Sequence, residues 1–159
     1  MKKIILTKGQ EALVDDEDFE YLSQWKWTAQ WNPHTKSFYA ARNRTISFGV
    51  RKKTYMARII MNTPENMICD HISHNTLDNR KENLRNVTRS QNGMNRGKAT
   101  INSKTGILGV EGVGKYFRAF ISIDQKRKTF PVRKNIEDAI EDRKRAVEKH
   151  YGQYGKQKL

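Results

Sequence analysis

The chain has 159 residues, a formal net charge of +14 from 31 Lys/Arg against 17 Asp/Glu, and a hydrophobic share of 36%. That length fits one ordinary domain or two small ones, and the low apolar share points to small modules rather than one large core. A single cysteine, Cys69, excludes a disulfide framework and a Cys-rich zinc ribbon, and no apolar run reaches membrane-spanning length.

The basic excess is uneven: +5 over residues 1–60, +2 over 61–100 and +7 over 101–159. Basic flanks around a less basic centre suit a protein that grips phosphates on either side of an acidic working site. The opening residues, Met1 to Leu6, are too short for the apolar part of a signal peptide, so the expected location is the cytosol of the host.

The first predicted strand covers residues 2–6. Asp15-Asp16-Glu17-Asp18-Phe19-Glu20-Tyr21-Leu22 reads as a short helix with carboxylates in its first turn, where the helix dipole favours them. A capped helix start accounts for that acidic cluster better than a metal site does. Trp25, Trp27 and Trp31 follow at near-alternate spacing and are expected to pack inside a small β-rich module spanning 1–62. Further strands are expected over 38–42, 46–50 and 54–57, then a helical turn over 58–61 that ends near Pro64.

The character of the chain then changes. Met67-Ile68-Cys69 reads as a short strand that delivers Asp70 and His71 to its end, residues 72–82 as a polar loop, and Leu84 to Val87 as the returning strand. Thr88 is a good N-cap for a helix running from Arg89 to about Arg96. A carboxylate beside an imidazole, with an amide on the following helix, is what a metal-assisted phosphodiesterase requires. It needs a hard-oxygen seat for a divalent cation and a His to take a proton from water. On this reading His71 is the general base, Asp70 the carboxylate ligand and Asn92 the second ligand, and the oxygen donors suit Mg²⁺ or Mn²⁺. Asn95 lies three residues on, on the same helix face, in a supporting role. His74 reads as an exposed loop histidine and Asp78 as a turn residue before Asn79.

Residues 99–106 lack apolar periodicity and read as a linker. Strands are then expected over 107–110, 116–123 and 128–132, and Asn135 is expected to cap a final helix striped by Ile136, Ile140, Val147 and Tyr151 and closed by Gly152. Lys115, Arg118, Lys126, Arg127, Lys128 and Arg133 fall at or near strand ends and are the candidate DNA-binding cations of this module, residues 107–155.

The run Asp70-His71, Leu77-Asp78-Asn79-Arg80, Asn83-Leu84-Arg85, Val87-Thr88, Gln91-Asn92 and Asn95 resembles the HNH nuclease motif, in the variant with Asn at its third position found in HNH homing endonucleases. The resemblance implies a ββα-metal topology over 63–98. It gives Asn83 the task of tying the loop to the hairpin and fixing the His, and Arg58 a supporting role. Related proteins show His-Arg where this chain has Ala57-Arg58. The pattern Thr105-Gly106, Gly109-Val110, Lys115-Tyr116-Phe117-Arg118-Ala119 and Ile123, then a helix with Ala139 and Tyr151-Gly152, resembles the Apetala-type (ethylene-response-factor) DNA-binding domain. Glu111 and Phe117 stand where that family commonly has Arg and Trp.

The expected fold class is therefore α+β: a small N-terminal β-rich module, a ββα-metal module, and a C-terminal three-stranded sheet packed on one helix. The expected function is that of a site-specific, homing-type endonuclease of double-stranded DNA, using one divalent metal and a His base. The alternative is a DNA-binding regulator or recombination accessory whose HNH module is vestigial. An RNA-binding role lacks any RRM or KH signature.

Overall fold

The computed structural model describes residues 1–95, 99–100 and 102–155. The expected helix end at Arg96, and Gly97, Lys98 and Ile101 of the expected module boundary and linker, lie outside the described residues. The architecture is α+β, with several small antiparallel sheets and a C-terminal helix lying on a sheet. The chain divides into two compact units, Met1–Val87 and Thr88–Leu159.

In the first unit, β1 (Lys2–Ile5) pairs with β2 (Glu11–Val14), a strand not anticipated from the sequence. Its four residues Glu-Ala-Leu-Val are too few to show a period, and Lys8 and Gly9 make the turn before it with positive φ. Helix α1 (Asp16–Ser23) starts where the acidic run predicts. The capping expectation is corrected, because Asp15 makes no side-chain bond to the helix. Its carboxylate instead accepts the backbone N–H of Lys81 at 2.8 Å.

A three-stranded meander follows: β3 (Thr28–Asn32), β4 (Ser37–Ser47) and β5 (Val50–Tyr55). The separate strands expected at 38–42, 46–50 and 54–57 resolve into two longer ones. Phe48-Gly49 is a turn between Ser47 and its partner Val50, with Gly49 at φ 75° in the left-handed region that a tight hairpin needs. Met56 and Ala57, expected in a strand, open helix α2 (Met56–Ile60), because burying Met56 and Ala57 beside Ile59 and Ile60 requires helical spacing. The hairpin of β6 (Ile68–His71) and β7 (Leu84–Val87) completes the unit.

Ile4, Leu6, Ala12, Val14, Leu22, Trp27, Ala29, Ala40 and Met56 form the core of this unit. Trp27 is buried with its indole N–H donating to the Leu22 carbonyl at 2.9 Å, so its polar atom is satisfied. Trp25 packs at the edge of this core, and Trp31 lies against the Phe38 ring with centroids 4.9 Å apart while remaining 43% exposed. Truncating a fully buried side chain such as Leu22 to Ala costs about 2–5 kcal/mol.

In the second unit Thr88 caps α3 (Arg89–Met94) through a reciprocal capping box with Gln91. The sheet runs in the order β10 (Lys126–Arg133), β9 (Tyr116–Ile123), β8 (Val110–Val113), and α4 (Ile136–Tyr151) covers one face. Strand β8 begins at Val110 rather than Ile107. Gly106 and Gly109 both have positive φ, and the Thr105 hydroxyl donates to the Val110 carbonyl at 2.7 Å, so residues 105–109 turn instead of extending. The buried face of α4 is Ala139, Arg143, Ala146, Val147 and Tyr151, and the expected Ile136 and Ile140 are only half-buried. Small Ala139 and Ala146 lie where the helix meets the sheet. The Tyr151 hydroxyl donates to the Ser122 carbonyl and accepts from its N–H, both at 2.9 Å. Met94 of α3 packs into this same core with Ile121, Ala146, Val147 and Tyr151.

Candidate active site

The β6–β7 register sets Asp70 opposite Arg85 and His71 opposite Leu84. Cross-strand neighbours are close enough for the guanidinium to hold the carboxylate, and Arg85 Nε donates to Asp70 Oδ2 at 2.9 Å. His71 is 6% exposed, and its Nε2 lies 3.3 Å from Asn79 Oδ1. The orientation of that amide is fixed on its other side, where Asn79 Nδ2 donates to the Leu77 carbonyl at 3.2 Å. A carbonyl can only accept, so the amide oxygen faces the imidazole. Nε2 then carries the proton and Nδ1 the lone pair, the tautomer a base requires. Burial lowers the His71 pKa, outweighing the Asn79 hydrogen bond and the charges of Asp70 and Asp78, which raise it. The Tyr39 ring stands edge-on at 6.0 Å. Burial pushes the neighbouring Cys69 thiol up to about 11, which makes it inert at neutral pH.

The polar loop between the strands is held along its whole length. Asn83 Oδ1 accepts from Ser73 N at 2.9 Å, and Asn83 Nδ2 donates to the Asp78 carbonyl at 2.8 Å, so one amide joins both arms of the loop. Leu13 of β2 bonds Leu77 and Asn79 through the backbone, each at 2.8 Å. Thr76 donates to the Phe38 carbonyl of β4 at 2.6 Å. Arg80 clamps Asp78 through two bonds, and those bonds hold the Asp78 carboxyl below the usual range. Lys81 pairs with Glu17 and Asp18, so the acidic start of α1 anchors this loop. His74 is exposed with positive φ. The Arg58 guanidinium donates to the carbonyls of Thr63, Pro64 and Met67 and so fixes the approach to β6.

Asn79, the partner of His71, is given no role by the sequence reading, although it stands in the Leu77-Asp78-Asn79-Arg80 run of the motif. Its 2% exposure is set by the docking of the loop onto β2. Asp70, His71 and Asn83 come together in this hairpin and loop. Asn92 lies on α3 of the other unit and Asn95 caps that helix's C-terminal end, 3% exposed.

By chemistry alone, the Asp70 carboxylate and the Asn92 amide are both oxygen donors of the kind a hard divalent cation takes. Asp70 already shares its charge with Arg85, so it would offer a cation a partly neutralised carboxylate. Among the described residues there is no group of three or more His, Cys, Asp or Glu placed to hold a metal.

The six candidate DNA-binding cations divide between two faces. Arg118 and Arg127 share the sheet face opposite α4, and both pair with Glu111. Burial raises the Glu111 pKa, but the bonds from the two arginines outweigh it and keep the carboxyl ionised. Lys126 and Lys128 pair with Ile123 and Ile121 on the helix side, where Lys128 meets His150 at 3.3 Å, and Arg133 is bound by Asp142 of α4. Lys115 is exposed in the β8–β9 turn. No helix among the described residues is long and apolar enough to cross a membrane.

No curated protein and no solved structure matches the chain. A protein-family model described as HNH endonuclease matches residues 62–94, the stretch running from the end of α2 through β6, the polar loop, β7 and α3. The segment that carries Asp70, His71, Asn83 and Asn92 is thus the part of the chain that is similar to HNH endonucleases.

Proposed function

We propose that the protein is a metal-dependent endonuclease of double-stranded DNA, of homing type, that uses His71 as general base. The observation that carries this reading is the buried His71, oriented by Asn79 and adjacent to Asp70, inside the segment that matches HNH endonucleases. Kept neutral by burial, the imidazole presents Nδ1 to a water in line with the scissile phosphorus and takes its proton. Asp70 and Asn92 would hold one Mg²⁺ or Mn²⁺, which when bound supplies charge neutralisation for the phosphoryl transition state and the leaving 3′ oxygen. Asn83 joins the two arms of the loop that carries Asn79, Arg58 steadies the start of the hairpin, and Asn95 keeps a supporting role. Hydrolysis leaves 5′-phosphate and 3′-hydroxyl ends. The module around β8–β10 and α4 is an Apetala-like DNA reader, supported by its three-stranded sheet on one helix and its basic turn and strand ends.

A vestigial module in a DNA-binding regulator is the competing account. Long duplex DNA incubated with the protein, with and without Mg²⁺, separates the two. Metal-dependent ends that carry 5′-phosphate and map to one site support the proposal. Tight binding with intact DNA at every Mg²⁺ concentration supports the competitor.

A further inference from the structure

Residues 43–53 form an arm with no core beneath it. Strands β4 and β5 pair from Ala41 opposite Tyr55 out to Ser47 opposite Val50, and every residue from Asn43 to Lys53 is exposed, on both faces of the ribbon. A bare two-stranded ribbon is marginal in water by itself. Its tip sets three apolar side chains in solvent: Ile46 at 49%, Val50 at 48% and Phe48 at 105% exposure.

Behind the tip the side chains are cationic. Arg44 faces Lys52 across one face, while Arg51 and Lys53 stand opposite Thr45 and Asn43 on the other. Like charges directly opposite destabilise a hairpin, so stability of the ribbon does not explain Arg44 facing Lys52. From Tyr21 to Pro64 the sequence has eight Lys/Arg and no Asp or Glu. Among the described residues neither Arg44 nor Arg51 has a carboxylate partner. Lys52 reaches Glu65 at 3.5 Å, but both side chains are exposed and such a pair is weak. Lys53 donates to the Gln30 amide oxygen at 3.0 Å.

We propose that the β4–β5 ribbon is a double-stranded-DNA-binding arm. It enters the major groove, its two cationic faces meet the phosphates of the two groove walls, and Phe48 leads at the base edges. Two strands about 4.8 Å apart, with their side chains, fit a groove roughly 12 Å wide. The deep, narrow major groove of duplex RNA does not admit them. Charge on both faces suits a partner with anionic walls on two sides, which a flat bilayer lacks. The choice of DNA as the polyanion rests on the nuclease reading.

The test uses the full chain in EDTA, so that nothing is cut, and follows the affinity for a labelled duplex of random sequence against KCl concentration. The ribbon variant combines Arg44→Ser, Arg51→Ser, Lys52→Ser and Lys53→Ser. A charge-matched control combines Lys2→Ser, Lys8→Ser, Lys26→Ser and Lys36→Ser, all exposed positions of the same unit. Thermal unfolding checks that both remain folded. The ribbon variant is expected to lose at least tenfold in affinity at low salt and to flatten the log–log salt slope by roughly 3, at about 0.9 per phosphate contact. The control is expected to change the slope by less than about 1. Phe48→Ser is expected to weaken binding at an unchanged slope. An unchanged slope in the ribbon variant, an equal fall in the control, or tighter binding of the wild-type ribbon to phosphatidylserine vesicles than to duplex overturns the proposal. A wild type that fails to cut in Mg²⁺ while the slope difference persists rejects the nuclease reading and leaves the arm standing.

Discussion

His71 is shielded on one side by the Tyr39 ring and tied on another to Asn79, and this environment decides its acid–base behaviour. Burial lowers its pKa, so the unfolded chain takes up a proton at this residue before the folded one does. Stability contributed by keeping His71 neutral is therefore fully present above the ordinary histidine value, about 6.5, and is lost as pH falls below it. The same shift keeps the base competent further into acid. The acid limb of the cleavage rate is expected below about pH 6.5, measured at saturating Mg²⁺ under single-turnover conditions. A limb at or above that value would mean that His71 is solvated, or that another group is the base. Asn79 is separable from His71 by substitution. Asn79→Leu removes the acceptor that sets the tautomer and is expected to slow cutting by about 10- to 100-fold with DNA affinity unchanged. Asn79→Asp keeps an acceptor and is expected to restore most of the rate. Equal losses in both variants would reduce Asn79 to a packing residue.

At the scale of elements, the hairpin β6–β7 and its loop are built against their neighbours in the chain. Backbone bonds from Leu13, a hydroxyl bond to β4 and the carboxylates at the start of α1 all hold the loop. The strand–loop–strand–helix order was legible in the sequence because the apolar run at 67–69 and the Leu84 to Val87 segment flank a long polar stretch, and because Thr88 is a good N-cap; the reciprocal bond with Gln91 is added by the structure. Asn79's role and the use of Asp15 as a loop anchor were not legible. Both depend on contacts between residues about 65 positions apart in sequence, which no local period encodes. The β4–β5 hairpin was misjudged for a local reason: Phe48 and Val50 have strand-forming side chains, and only Gly49 marks the turn. In the second unit Gly109 carries a specific constraint. It has φ 74°, and a Cβ placed there would lie 2.0 Å from Arg143 Nε, so Gly109→Ala meets both backbone strain and a side chain buried at 3% exposure. The variant is expected to lose about 1–3 kcal/mol, read by chemical denaturation of the intact chain. An unaltered midpoint would show that Arg143 moves aside at no cost.

For the whole molecule, α3 belongs to the same compact unit as the C-terminal sheet and helix, and its Met94 is buried with Ile121, Ala146, Val147 and Tyr151. A short helix of this kind, Arg89–Met94, does not persist in water without a surface to pack on. Deleting residues 100–159 is therefore expected to melt α3 and abolish metal-dependent cutting, rather than merely relax site choice. Circular dichroism together with a cleavage assay checks this, and a truncated chain that still nicks DNA would contradict it. The basic charge of the two flanks, +5 over residues 1–60 and +7 over 101–159, gives both units the means to approach a polyanion. The central claim is that His71 is the base of a metal-dependent DNA cut. Its most direct test is the single-turnover rate on long duplex DNA in Mg²⁺ for the wild type and for His71→Ala, with binding measured alongside in EDTA. The account predicts a rate lower by about 10²–10⁴ with affinity retained, and a variant that cuts at the wild-type rate would contradict it.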